Sequence, residues 1–156
     1  MNALEKLEQK AFDDNVKVHN YYLGEENLKG IYIDGNVAIN TSVTTTNEKS
    51  CVLAEELGHH HTSVGVIVDL SDAKNRKQER QARLWAYNNR IGLYGLITAY
   101  ENGCRDRYEI AEFLNVTEEF LEDAINCYRE KYGVYTTIDN YTVYFIPNLI
   151  IGKKIE

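Results

Sequence analysis

Between residues 2 and 14 the apolar positions Leu4, Leu7, Ala11 and Phe12 recur every three or four residues, which predicts an amphipathic helix closed by Asp13, Asp14 and Asn15. Val16, Val18 and Tyr22 then begin a short extended segment. From Gly30 to Asn40 the period changes to two on either side of Asp34-Gly35, a dipeptide suited to a two-residue hairpin turn. Ile31, Ile33, Val37 and Ile39 are expected to form one apolar face, covered by the next helix. That helix is placed from about Asn47 to His60, after the capping candidates Thr44, Thr45 and Thr46, with Cys51, Ala54, Leu57 and Gly58 toward the sheet. A short apolar run, Val66-Ile67-Val68, precedes Asp72, which is expected to cap a helix over 73–90 holding Glu79, Ala82, Trp85 and Ala86 on neighbouring positions of one face.

Two further helices are expected over 93–102 and 107–114, and a third from the cap Thr117 to Tyr132, closed by Gly133. The chain then reads as a β-hairpin, Tyr135–Ile138 and Thr142–Ile146, turning at Asp139-Asn140. The pattern predicts an α+β chain forming one domain over 1–156. Its core, a small antiparallel sheet under a central helix, occupies 1–92, and a helical hairpin and β-hairpin fill 93–156.

Composition narrows the function classes. In 156 residues, 44% apolar and 26% charged positions suffice for a substantial core. The net charge of −7 opposes a sequence-independent grip on phosphate backbones, so nucleic acid is not an expected partner. No stretch approaches the ~20 apolar residues of a membrane span, and Met1–Asn15 lacks the apolar centre of a signal peptide. Cys51, Cys104 and Cys127 are widely spaced, without Cys-x-x-Cys, and read as reduced thiols of a cytoplasmic protein. Ala111, a turn at Asn115-Val116-Thr117, and Leu121 have the spacing of a helix-turn-helix. Its second helix, however, opens with Glu118 and Glu119 and continues with Glu122 and Asp123. Four carboxylates on the element that should enter a groove repel phosphate, which leaves packing or a protein partner as its use.

The candidate chemistry sits in Leu53-Ala54-Glu55-Glu56-Leu57-Gly58-His59. On a helix Glu55 and His59 are four apart and share a face, while Glu56 projects about 100° around the axis. Two converging donors with a carboxylate offset by one residue is the layout of a His-Glu-x-x-His zinc hydrolase, with Glu55 in the first ligand position. The bland alternative is an acidic helix whose histidine meets the macrodipole at its C-terminal end. Glu79 is the candidate third ligand; its bland alternative is an i,i+4 pair with Arg83 on a solvated face. His59-His60-His61 is also a run that could hold a metal adventitiously.

The order of these features resembles the ImmA/IrrE family of metallopeptidases, particularly its short prophage-encoded members. The matching stretches are the Gly-x-Tyr-x-Asp-Gly-x-x-x-Ile-Asn hairpin at Gly30–Asn40, the Leu-Ala-x-Glu-Leu-Gly-His helix at Leu53–His60, and Glu79–Ala86. The resemblance implies a zincin-like fold and a zinc ion held by Glu55, His59 and Glu79, with Glu56 as general base. Three features depart from the family pattern: its first His is Glu55, its usual Glu-Ala pair is Gln81-Ala82, and Tyr87-Asn88-Asn89-Arg90 stands where Leu-Leu-x-Pro is common. Zinc accepts carboxylate oxygen as well as imidazole nitrogen, and the harder donor set would also accept Mn2+ or Fe2+. The extra negative charge weakens zinc as a Lewis acid and predicts slower chemistry.

The expected function is a zinc-dependent endopeptidase of a prophage or mobile element, acting on a helix-turn-helix repressor to derepress the element's genes. The alternative is a catalytically inactive relative serving as a protein-interaction module.

Overall fold

A computed structural model describes residues 1–24, 28–62 and 73–154, and of residues 73 and 74 the backbone alone. The chain is α+β and gathers into two compact units, Met1–Asn89 and Arg90–Glu156. Among the described residues six helices and six strands form, the strands in two three-stranded sheets.

The first unit opens with α1 (Ala3–Asp13), capped as the sequence allows: the Asn2 side chain accepts from the Glu5 backbone N–H, and the Glu5 side chain accepts from that of Asn2. Strands β1 (Lys17–Tyr21), β2 (Gly30–Ile33) and β3 (Asn36–Asn40) follow, in the spatial order β1-β3-β2. Asp34 and Gly35 both take positive φ, 46° and 78°, which closes the expected two-residue hairpin. One pairing differs from the expected antiparallel sheet: β1 runs parallel to β3, with β2 on the opposite side of β3.

The hairpin register also corrects the expected apolar face. A two-residue turn sets Ile33 opposite Asn36, Tyr32 opposite Val37, Ile31 opposite Ala38 and Gly30 opposite Ile39. Residues directly opposite share a face. Gly30, Tyr32, Val37 and Ile39 therefore lie on one face, and Ile31 and Ile33 lie on the other, where Ile33 is 44% exposed. Asn40, at the end of β3, is buried with its amide fully used. It donates to the carbonyls of Gly24 and Leu28 and accepts from the N–H groups of Leu23 and Ser42.

Helix α2 (Thr46–Thr62) begins at Thr45, whose hydroxyl accepts from the Glu48 N–H. It is buried nearly all round from Ser50 to Gly58, with only Glu55 partly exposed in that span. Gly58 was expected on the sheet side; it instead lies against α3 (Ala73–Arg90). A Cβ added there would overlap the Ala82 carbonyl oxygen and lie 3.0 Å from its carbon. Ala82 and Ala86, both fully buried, complete that close helix crossing. The run Val66-Ile67-Val68 and the cap Asp72 lie outside the described residues.

The second unit holds α4 (Gly92–Glu101), α5 (Arg107–Leu114) and α6 (Glu118–Tyr132), then β4 (Tyr135–Ile138), β5 (Tyr141–Tyr144) and β6 (Ile150–Lys153). The cap expected at Thr117 forms, and α5 gains two caps that sequence reading did not name. Asp106 accepts from the Glu109 N–H, Asn115 ends α5 in the left-handed region at φ 58°, and Thr117 accepts from the Phe120 N–H. The hairpin gains a third strand, β6, antiparallel to β5, which sequence reading missed because Ile150-Ile151-Gly152-Lys153 is too short to show alternation. Tyr128 and Phe145 fill the centre of this unit, and the Arg129 guanidinium donates to the Phe145 carbonyl. Among the described residues no helix is long and apolar enough to cross a membrane.

Candidate metal and catalytic site

Three consecutive histidines near the C-terminal end of α2 point in three directions, since each step turns about 100° around the helix. His59 Nε2 approaches Glu79 Oε2 at 3.2 Å. His60 Nδ1 lies 2.7 Å from the Tyr32 hydroxyl, which also accepts from the Gly35 N–H. His61 Nε2 lies 3.0 Å from Asp14 Oδ2, and its ring stacks on Trp85 at 4.8 Å between centroids. The run is thus not one cluster. His60 fastens the hairpin to α2, His61 fastens α1 and α3 to it, and His59 alone faces the candidate site.

Glu79 meets two partners. Its Oε2 faces His59, while its Oε1 accepts from Arg83 Nε at 3.0 Å, one turn further along α3. Burial holds the His59 imidazole below its ordinary pKa; Glu79 opposes that effect and Arg83 adds to it. The ring is therefore neutral near pH 7, the form in which a ring nitrogen can bind a metal.

Glu56 is a buried carboxyl, 9% exposed. Burial, then the charges of Glu55 and Glu79, push its carboxyl up to about 8. Its side chain lies beneath Gly30 of the edge strand β2. A Cβ on Gly30 would fall 2.7 Å from Val52 Cγ1 and 3.0 Å from Glu56 Oε2. A side chain at Gly30 would press first on Val52 and then on the Glu56 carboxylate, a close approach that sequence reading did not assign.

Two of the donors approach the spacing that zinc requires. Ligand atoms of a tetrahedral zinc site with bonds of about 2.0–2.2 Å stand about 3.3–3.6 Å apart. The 3.2 Å between His59 Nε2 and Glu79 Oε2 is close to that edge. A dication here would also relieve the mutual repulsion that raises Glu56. Glu55 acts electrostatically on Glu56 and Arg83. Among the described residues, however, no three His, Cys, Asp or Glu side chains are already grouped to hold a metal. The structure places two of the expected donors side by side and leaves Glu55 outside that pair. His60, next in the histidine run, is engaged with Tyr32 instead.

A family model, that of the IrrE N-terminal-like domain of a peptidase family, matches residues 13–126. No curated protein and no solved structure matches the chain.

Proposed function

The chain belongs to the family of the IrrE N-terminal-like domain, a peptidase family, and from that membership and the geometry of α2 and α3 we propose that it is a zinc-dependent endopeptidase. The observation that carries the reading is the approach of His59 Nε2 to Glu79 Oε2 at 3.2 Å beside the buried carboxyl of Glu56. His59 and Glu79 would hold the ion, with Glu55, one turn before His59, as the remaining protein donor. Zinc, when bound, polarises a scissile carbonyl and acidifies water, or Mn2+ or Fe2+ does so less strongly. With a dication beside it lowering its raised pKa, Glu56 would ionise, take the proton of the attacking water on its carboxylate and deliver it to the departing amide nitrogen. Gly30 leaves backbone beside that carboxylate, so an extended substrate segment can lie along the outer edge of β2, which pairs only with β3 among the described residues.

The proposed substrate is a helix-turn-helix repressor of a prophage or mobile element, encountered in the cytoplasm, and its inactivation derepresses the element's genes. Support for a protein rather than a nucleic acid comes from the net charge of −7. A second reading, an inactive interaction module, is favoured by one observation: Glu79 is already paired with Arg83, and no three-donor group is assembled among the described residues.

Zinc content decides between the two readings. One equivalent per chain after purification, with cleavage of the repressor abolished by Glu56→Gln, supports the peptidase. No zinc in the wild type and no gain in zinc affinity for Glu55→His sends the chain to the interaction reading.

A further inference from the structure

Glu79 divides its two oxygens between two partners. Oε2 faces His59 Nε2 at 3.2 Å and Oε1 accepts from Arg83 Nε at 3.0 Å. An ordinary surface i,i+4 pair contributes little, because both ends are solvated. Here the carboxylate end is 22% exposed and is held by a second element, so Arg83 meets a fixed acceptor. The guanidinium charge also acts on Glu55, the residue that stands where two-histidine sites carry an imidazole.

The charge bookkeeping gives Arg83 a reason to be there. Exchanging a neutral imidazole for Glu55 adds one negative charge to a donor set that already contains Glu79, next to the buried Glu56. One guanidinium, paired with Glu79 and acting on Glu55 through space, offsets that charge. With Arg83 included, the Glu55/His59/Glu79 group carries the same net charge as a set of two imidazoles and one carboxylate.

We propose that Arg83 is the resident counter-cation of this site: it neutralises Glu79 directly and Glu55 through space, and a divalent ion must share those carboxylates with it. The role rests on the metallopeptidase reading only for its second half, the competition with metal. Removing the guanidinium leaves the carboxylates uncompensated in the metal-free protein and removes like-charge repulsion toward an entering dication. The Glu79 oxygens are then held less firmly, but His59 still faces one of them, so the electrostatic gain dominates.

The test uses the full chain and Zn2+ alone, with Arg83→Gln, Glu79→Gln and the double variant, and Arg80→Gln as a control for the same charge change elsewhere on α3. Metal-free thermal unfolding is measured first. Arg83→Gln should lower Tm by about 2–4 °C. In the Glu79→Gln background the same substitution should cost almost nothing, and Arg80→Gln should cost nothing in either. Competition with a chromophoric chelator should then show Arg83→Gln binding Zn2+ roughly tenfold more tightly than wild type. Non-additive Tm losses with tighter zinc binding support the proposal. Non-additive losses with no zinc bound by any variant keep Arg83 as counter-cation and overturn the metallopeptidase reading instead. Additive losses, or weaker zinc binding by Arg83→Gln, overturn the proposal.

Discussion

Helices α2 and α6 are the central helices of the two units, and they are built on opposite principles. α6 buries Phe120, Ala124 and Tyr128 along one row and Leu121 and Ile125 along the next, a single stripe with carboxylates and amides outside it. α2 buries eight residues between Ser50 and Gly58, with sheet on one side and helices on others, and one of those eight is a glutamate. Each unit also buries an ionisable group deep in its helix, but the groups differ in what burial costs. Tyr128 is neutral at any working pH, so burial only pushes its hydroxyl further above the ordinary tyrosine value, and the oxygen accepts from the Gly92 N–H. Glu56 is charged at neutral pH when solvated, so its burial opposes folding. A stripe with a neutral centre is what stability alone selects. A helix enclosed on all sides around a carboxyl has a local conflict that packing does not explain, and such conflicts gather at functional sites.

Titration tests this contrast with the largest expected effect. Below about pH 4.5 Glu56 is protonated whether the chain is folded or unfolded, and it contributes nothing. As pH rises, the unfolded chain releases the proton while the folded chain keeps it up to about pH 8, so the stability of the metal-free protein falls across that window. The loss by pH 8 is on the order of 4 kcal/mol. In Glu56→Gln this loss should vanish, leaving the variant more stable than wild type at pH 8 and no more stable at pH 4. Urea unfolding of both proteins at several pH values, in the presence of a chelator, measures it. Parallel curves for the two proteins would show that Glu56 titrates like a solvated carboxyl.

The caps and periods that make α6 were all legible in the chain: Thr117 before Glu118, the apolar stripe, and Gly133 after Tyr132. What was not legible is long-range. Whether Val37 shares a face with Tyr32 or Ile33 depends on the turn register, and the apolar alternation of Ile31 and Ile33 points to the wrong face. The three histidines look equivalent in sequence, and only the positions of Glu79, Tyr32 and Asp14 assign them different tasks. Glu55 and His59 share a helix face by spacing alone, but whether they also share a ligand depends on side-chain torsions that spacing does not fix. Gly30 reads as the plain start of a strand until Glu56 is found beneath it.

Capping in the stripe helix gives a further measure. The Thr117 hydroxyl accepts from the Phe120 N–H at 3.0 Å, so Thr117→Ala should cost about 1 kcal/mol. That is smaller than any change expected to disturb the α2–α3 crossing. The loss should appear as a shift of the chemical-denaturation midpoint with unchanged slope. A loss of several kcal/mol would mean that α6 is less self-sufficient than its pattern implies.

Two helix-interior glycines close the comparison, with effects of opposite sign in the two units. Gly58 of α2 faces the backbone of α3: a methyl group there overlaps the Ala82 carbonyl, and neither helix backbone can yield locally. Gly58→Ala should therefore destabilise by about 2–3 kcal/mol, as overpacking does, despite the better helix propensity of alanine. Gly95 of α4 meets only the tips of Leu114 and Ile91, at 3.5 Å and 3.7 Å, which is ordinary van der Waals contact. Its φ is not in the left-handed region, so an L side chain fits without strain. There alanine removes backbone freedom from the unfolded chain and adds contact with Leu114, so Gly95→Ala should stabilise by about 0.5–1 kcal/mol. Thermal unfolding of both variants tests the pair, with Tm rising for Gly95→Ala and falling for Gly58→Ala. If both rise, α2 and α3 can separate to admit a methyl group, and the enclosure of α2 that sets it apart from α6 is looser than its glycine implies.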